Sequence, residues 1–553
     1  MIAREALRWN GWGRLGESAH MTRAREAALL AELGSRLGRP VARAAEPAAL
    51  DAIKLPPSKL APDVIARLRA ACGEEGVRTS AFERVTHATG RSLPDLMRLR
   101  RGEIGAAPEA VVYPGDEGAV VAVLRIAADA NLAVVPFGGG SSVVGGVEPR
   151  CAPGQAGALA LDTTRLDRLL RLDALSHTAT FQAGVDGPAL EAALAARGFT
   201  LGHFPQSFEH STLGGWIATR SVGQQSDGYG GIEDLLVCLR VVTPAGVIRT
   251  LDVPRAASGP ELNELMLGSE GTFGVVVEAT VRIRPRAERC DDRGMLFRSF
   301  ADGVAAVRAL RRAELGVAMA RLSDAGETEL SLLLRQDPSR RFDPAAAALG
   351  LAERLGYGDG RCALVYGAEG GSFAVRSAMF QARALLRRHG GLPLGRGPGR
   401  SWRRERFRTP YLRDWLLDHG VAADTMETSL PWARLEAGHD AVVRALRGAC
   451  ATHAGGGLAM AHLSHSYRDG ACLYFTILYP VDAARDVEQW AAIKRAATDA
   501  IVAAGGTLSH HHGVGVDHKD WMARERGALG IEALRAVKGA VDPRGVMNPG
   551  KLT

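Results

Sequence analysis

Apolar positions along this chain change their spacing at a few definite places, and those changes outline its elements. From 23 to 38 an Ala- and Leu-rich run with helical spacing stops at glycine, which predicts an amphipathic helix. Pro56-Pro57 marks a loop before another helix near 62–73. Between about 107 and 285 short apolar runs alternate with helical spacing. Residues 109–114 read as a strand, 116–130 as a helix of i, i+3, i+4 periodicity, and 132–135 as a short buried strand. The stretch 158–161 is apolar, and 179–183 alternates as a strand. Pro188 opens a helix that stops at Gly198. Strands at 237–243 and 247–251 join through Pro244-Ala245-Gly246, and a strand at 275–283 closes at Pro285.

Beyond 290 the pattern changes. Three units each place a strand before a long helix: 294–300 with 301–314, 362–367 with 372–389, and 471–479 with 483–505. Such units predict a separate α+β domain on an antiparallel sheet. Between them, 391–410 carries Arg396, Arg400, Arg403, Arg404, Arg406 and Arg408, and is expected to be a loop, either mobile near an anionic ligand or merely solvated. The expected division is a helical segment over 1–104, a cofactor domain over 105–288, a substrate domain over 289–505, and a tail over 506–553 that returns to the first domain and the site.

Composition narrows the class. A chain of 553 residues with 46% hydrophobic and 23% charged residues is a globular protein of more than one domain. The net charge of +7 is spread out, which permits an anionic substrate or membrane surface. With 5% aromatic residues, nucleic acid is not expected. Seven scattered cysteines without a Cys-x-x-Cys pair suggest reduced thiols and no zinc site. Arg4, Glu5 and Arg8 stand where a secretory signal would be apolar, and Lys551-Leu552-Thr553 is not a peroxisomal address, so a cytoplasmic location is expected. Trp9-Asn10-Gly11-Trp12-Gly13 is expected to dock on the main body.

The chemistry begins with glycine. Pro136, Phe137, Gly138, Gly139, Gly140, Ser141 and Ser142 follow a predicted strand, and three glycines let the backbone approach a ligand with no Cβ in the way. Amides in such a turn suit a phosphate or pyrophosphate. The loop is not a Rossmann fingerprint, since Val143 stands where the third glycine belongs, and it is not a P-loop. Two further glycine-bearing stretches lie in the same domain, around 205–215 and 268–274. Any one of them fits a surface turn equally well; three together point to a phosphate-bearing cofactor. Later, His510, His511 and His512 follow 505–509, an apparent strand. On an extended backbone His510 and His512 would share one face, which argues against one metal site.

These loops, with the closing Val546-Met547-Asn548-Pro549-Gly550-Lys551, resemble the vanillyl-alcohol-oxidase/p-cresol-methylhydroxylase type of FAD flavoprotein. Within that type, Ser509 to Gly515, Glu427 to Trp432, Gly470 to Phe475, Trp9 to Gly13 and Ser211 to Trp216 resemble the alkyldihydroxyacetonephosphate (alkylglycerone-phosphate) synthase family. The related D-2-hydroxy-acid dehydrogenases usually show a single histidine where this chain has three, and such a dehydrogenase is the alternative.

The resemblance implies an α+β fold with a p-cresol-methylhydroxylase-type FAD domain and a substrate cap. It implies non-covalent FAD and two substrates, acyl-dihydroxyacetone phosphate and a long-chain fatty alcohol. The acyl group is exchanged for the alcohol, giving an ether lipid precursor through a flavin N5 adduct with no net redox change. Peripheral membrane contact and a homodimer stay open. By motif, Tyr474 would be the general acid/base, assisted by His510, His511, His512 and Arg321, and Arg413 would bind the substrate phosphate. The family's FAD contacts would fall on Pro136 to Ser142, on Pro205, Gln206, Ser207, Phe208, Glu209, His210 and Ser211, on Ala218, Thr219, Arg220 and Ser221, and on Glu270, Gly271, Thr272, Phe273, Gly274, Val275 and Val276.

Overall fold

The computed structural model describes residues 4–16, 23–334 and 344–552. Three parallel strands, Ala110–Val112, Ala158–Asp162 and Ala133–Phe137, form the heart of a four-stranded sheet whose fourth member is Val77–Arg78. Their near-continuous apolar runs are buried, as a covered parallel sheet requires. Asp116 caps the helix Glu117–Asp129 by accepting from the Ala119 amide, so the chain turns back over this sheet to reach Ala133. The C-terminal tail also lies against the sheet: Val134 donates to Val546 and accepts from Asn548. Five antiparallel strands form a second sheet in the order Leu169–Asp173, Thr178–Gln182, Val275–Arg282, Leu236–Thr243, Gly246–Arg249.

The rest of the chain builds a seven-stranded antiparallel sheet, ordered Leu392–Gly395, Arg289–Phe297, Cys362–Gly370, Met319–Ser323, Leu458–Ser466, Gly470–Pro480, Val421–Pro431. Strand alternation splits its two faces. Leu473, Phe475 and Ile477 join one core with Val304, Leu310, Val375, Leu386, Leu435 and Ile493 from the long helices. Tyr474, Thr476 and Leu478 line a cavity on the other side.

The helices read from sequence at 23–38, 62–73, 116–130 and 188–198 appear as Arg23–Leu37, Pro62–Cys72, Glu117–Asp129 and Gly187–Ala195. The arginine-rich stretch differs from expectation. It forms the strand Leu392–Gly395 and the helices Gly397–Glu405 and Thr409–Leu417. Two of its charges are partnered: Arg396 forks onto Asp291, and Arg403 holds Asp292 and Glu369, while Arg400, Arg404 and Arg408 are exposed. The N-terminal part divides between the two bodies. Val77–Arg78 belongs to the first sheet, whereas Leu29, Leu33 and Leu37 pack with Trp415, Leu416 and Met460.

Candidate active site

The three glycine-bearing loops converge. Gly139 touches the second loop so closely that an added Cβ would fall 1.6 Å from the His210 carbonyl oxygen. A Cβ on Gly138 would fall 2.4 Å from the side-chain Oγ1 of Thr212, so glycine at both positions lets the two loops meet this closely. Behind the first loop Arg4 donates from Nη2 to the Gly138 carbonyl at 2.7 Å and from Nε to buried Asp162 at 3.0 Å. The Arg91 amide holds the Ser142 carbonyl at 2.6 Å. With its carbonyls tied down, the loop leaves the amides of 139–142 with no acceptor among the described residues. Such a set of free N–H groups beside a Cβ-free cradle fits the diphosphate of FAD.

These loops form one end of a cavity of about 1430 Å³. Its exposed lining residues, Arg404, Arg408 and Thr409, mark the mouth. Part of the wall is apolar, with Leu29, Leu33, Leu330, Leu412, Trp415 and Leu478. Most of the expected FAD contacts line the cavity, but Phe208, His210, Arg220, Thr272 and Phe273 do not. Phe208 and Phe273 are buried in the core of the five-stranded sheet, because the loop needs apolar anchors beneath it. Thr272 Oγ1 is spent on the Ser269 carbonyl, Arg220 turns out to Glu264, and His210 meets the Tyr411 hydroxyl at 3.1 Å.

Opposite the loops, strand register aligns polar side chains. Ser323 faces His462, His462 faces Tyr474, and Tyr474 faces Glu427 across consecutive antiparallel pairs. The Tyr474 ring stacks on His462 with centroids 4.8 Å apart and on His511 at 5.9 Å. Its hydroxyl donates to Gln206 Oε1 of the second glycine loop at 3.4 Å. Burial holds the phenol well above its usual range, with the charge of Glu427 adding to it and a hydrogen bond with Thr425 opposing.

The histidines do not sit on a strand. Residues 509–512 turn around one fully buried carboxylate, Glu427, whose Oε1 accepts from Ser509 Oγ at 2.7 Å and from the amides of His510, His511 and His512 at 3.0, 3.0 and 2.8 Å. Alternation therefore does not separate the imidazoles, and atoms of Glu427, His511 and His512 come within 4.8 Å of one another. His511 and His512 line the cavity; His510 is off the wall, with its Nε2 2.7 Å from the Tyr467 hydroxyl. Burial pushes His510 down to about 4 and His511 and His465 well below the usual imidazole value. The common cause is burial, which disfavours the charged form of all three rings.

Arg321 lies on the same wall. Its Nη2 donates to Glu327 at 2.8 Å, and His462 Nδ1 stands 2.9 Å from that carboxylate oxygen. Burial alone would raise the Glu327 carboxyl, yet Arg321 and His462 hold it far below its usual range. Arg413 is less committed. Its Nη2 donates to the Arg91 carbonyl, its buried Nε finds no acceptor, and it forms no ion pair among the described residues. The neighbouring Asp414 is engaged elsewhere, accepting from the Trp12 amide at 2.6 Å and facing Arg8 at 3.4 Å. An uncompensated guanidinium in a cavity wall is an anion site.

Sequence reasoning missed His462, His465, Glu327 and the role of Glu427. A signal existed for His462, since Met460, His462 and Ser464 alternate against the core residues Ala461 and Leu463 in the strand Leu458–Ser466.

Fold and cavity define an FAD-binding flavoprotein of the p-cresol-methylhydroxylase type. Residues 108–252 match the family model described as FAD binding domain, and 294–552 match that of FAD linked oxidases, C-terminal domain. A solved p-cresol methylhydroxylase shares the fold at TM-score 0.69 and 16% identity, over 90% of this chain and 98% of its own. Alkyldihydroxyacetonephosphate synthase of Dictyostelium discoideum is 34% identical over 91% of this chain and 82% of its own length. A solved alkyldihydroxyacetonephosphate synthase superposes over 100% of both chains at TM-score 0.86 and 30% identity. The chain belongs to the alkyldihydroxyacetonephosphate synthase family and is an FAD-dependent enzyme.

Proposed function

We propose that this enzyme exchanges the acyl group of acyl-dihydroxyacetone phosphate for a long-chain fatty alcohol, forming an ether. The observation that carries the reading is the cavity itself: glycine loops suited to FAD, the unpaired Arg413, and an apolar stretch of wall meet in one space. A phosphate monoester and an aliphatic chain both find a complement there, whereas a small 2-hydroxy acid would leave the apolar wall unused.

FAD, held non-covalently along the three loops, supplies an electron sink for the dihydroxyacetone carbon. Arg413 binds the phosphate and fixes that carbon near Tyr474. The phenol starts protonated and serves as acid/base, with Gln206 orienting its hydroxyl. Arg321, held by Glu327, keeps a cation beside His462 on the cavity wall. The apolar wall takes the aliphatic chain and excludes water. Exposed Arg404 and Arg408 at the mouth suit peripheral contact with an anionic membrane, and no helix among the described residues is long and apolar enough to cross one.

Oxygen-18 in the alcohol tests the exchange. The label is expected in the ether product, with unlabelled fatty acid released. Label in a fatty ester of the alcohol, with dihydroxyacetone phosphate released, would contradict the reading, because the alcohol would then have attacked the acyl carbonyl.

A further inference from the structure

We propose that Glu427 is a positioning residue that sets His512, holding its Nδ1 from behind and leaving Nε2 as the proton acceptor at the cavity wall. This rests on the ether-forming reading above. Glu427 has no exposed surface, and a buried carboxylate is costly unless its partners compensate for lost water. Four donors converge on Oε1, all neutral. A carboxamide oxygen could accept the same four bonds, so the turn by itself does not call for a charge. The charge is called for at Oε2, which lies 2.7 Å from Nδ1 of His512.

That pairing distinguishes the three histidines. His510 is occupied at both nitrogens, by Tyr467 and by Nδ1 of His511 at 3.0 Å. His511 stacks along Tyr474. His512 has the carboxylate at Nδ1, no partner at Nε2 among the described residues, and its ring edge-on to Tyr474 at 5.5 Å. A carboxylate this close to Nδ1 favours the ring proton on that nitrogen, which leaves a lone pair on Nε2. In the exchange the alcohol O–H breaks and its proton goes to Nε2. The alcohol oxygen forms the new bond to the dihydroxyacetone carbon, and the fatty acid leaves as carboxylate with the electron pair of the old C–O bond. Nothing is oxidised or reduced.

The test is a double-mutant cycle on the FAD-loaded enzyme, with flavin content and melting temperature measured beside turnover. Glu427→Gln keeps an oxygen for the turn but sets an NH2 group against Nδ1, which forces the other tautomer. The expected result is retained FAD, KM changed little, and kcat lower by about 10²–10⁴-fold. With His512→Ala already in place, Glu427→Gln should cost less than about threefold more, because both changes remove one function. Unchanged kcat in Glu427→Gln, or costs that simply multiply, would overturn the assignment.

If Glu427→Gln fails to fold or loses FAD, His512→Asn decides. Its side-chain N–H can replace Nδ1–H toward Glu427 while nothing stands at Nε2, so FAD should be kept and kcat lost. Full turnover in His512→Asn would overturn the proposal, as would one equivalent of metal bound by the unmodified enzyme and lost with His512. An unmodified enzyme that makes no ether refutes the ether-forming reading and this assignment with it. One that makes ether while Glu427→Gln matches it refutes the assignment alone.

Discussion

Tyr474 and Glu427 are direct partners across the antiparallel strands Gly470–Pro480 and Val421–Pro431, so both side chains leave the sheet on the cavity face. One shared register thus places the phenol beside the anion that holds the histidine turn. Replacing Tyr474 by Phe removes only the hydroxyl, with its hydrogen bonds to Gln206 and Thr425. FAD content is expected to stay at the unmodified level while kcat falls by about 10²–10⁴-fold. Turnover within a few-fold of normal would remove Tyr474 from the chemistry.

The same phenol should resist ionisation. Burial raises it above the usual value of about 10. The absorbance at 295 nm of the enzyme minus that of Tyr474→Phe is expected to stay flat up to about pH 10, since the raised group is still protonated there. A tyrosinate signal in this difference below that pH would contradict a buried, proton-bearing Tyr474.

Arg413 should act on the phosphate and leave the flavin alone. A charged hydrogen bond is worth roughly 1.5–3 kcal/mol, so Arg413→Ala should raise KM for the phosphorylated substrate on the order of 10–10²-fold. FAD content should not change. Equal binding of phosphorylated and dephosphorylated substrate by the unmodified enzyme would sink this role.

Gly139 is the sharpest test of the cofactor end. An alanine Cβ would overlap the His210 carbonyl, and backbone on both sides leaves nothing flexible to give way. Overpacking of this kind costs about 1–3 kcal/mol or more, and the two loops must part. Gly139→Ala is expected to purify depleted in flavin. Gly154→Ala, whose Cβ would meet nothing within 4 Å, serves as a control that keeps FAD despite its own positive φ. Full flavin in Gly139→Ala would show that the loop contact does not shape the site.

Local patterns made the cofactor end legible. Glycines at 138–140 and the strand before them carry their meaning in a few adjacent residues, and the loop forms where expected. The substrate end was less so, because its geometry comes from pairing between distant strands. Glu427 and His510 are 83 residues apart, and nothing in either neighbourhood announces a carboxylate wrapped by three successive amides. The run before the histidines looked extended from its residue types, yet the buried anion bends it into a turn. Arginines at 396 and 403 read as part of a loop, mobile near an anion or solvated, but Asp291, Asp292 and Glu369 from other strands order them. In each case a long-range charge decided what local propensity left open.

Turnover of acyl-dihydroxyacetone phosphate with a labelled long-chain alcohol, anaerobically and without any electron acceptor, tests the central claim most directly. The account predicts labelled ether product and an equal amount of released fatty acid, with the flavin oxidised before and after. No ether from FAD-loaded enzyme, together with flavin bleaching by a 2-hydroxy acid, would contradict it.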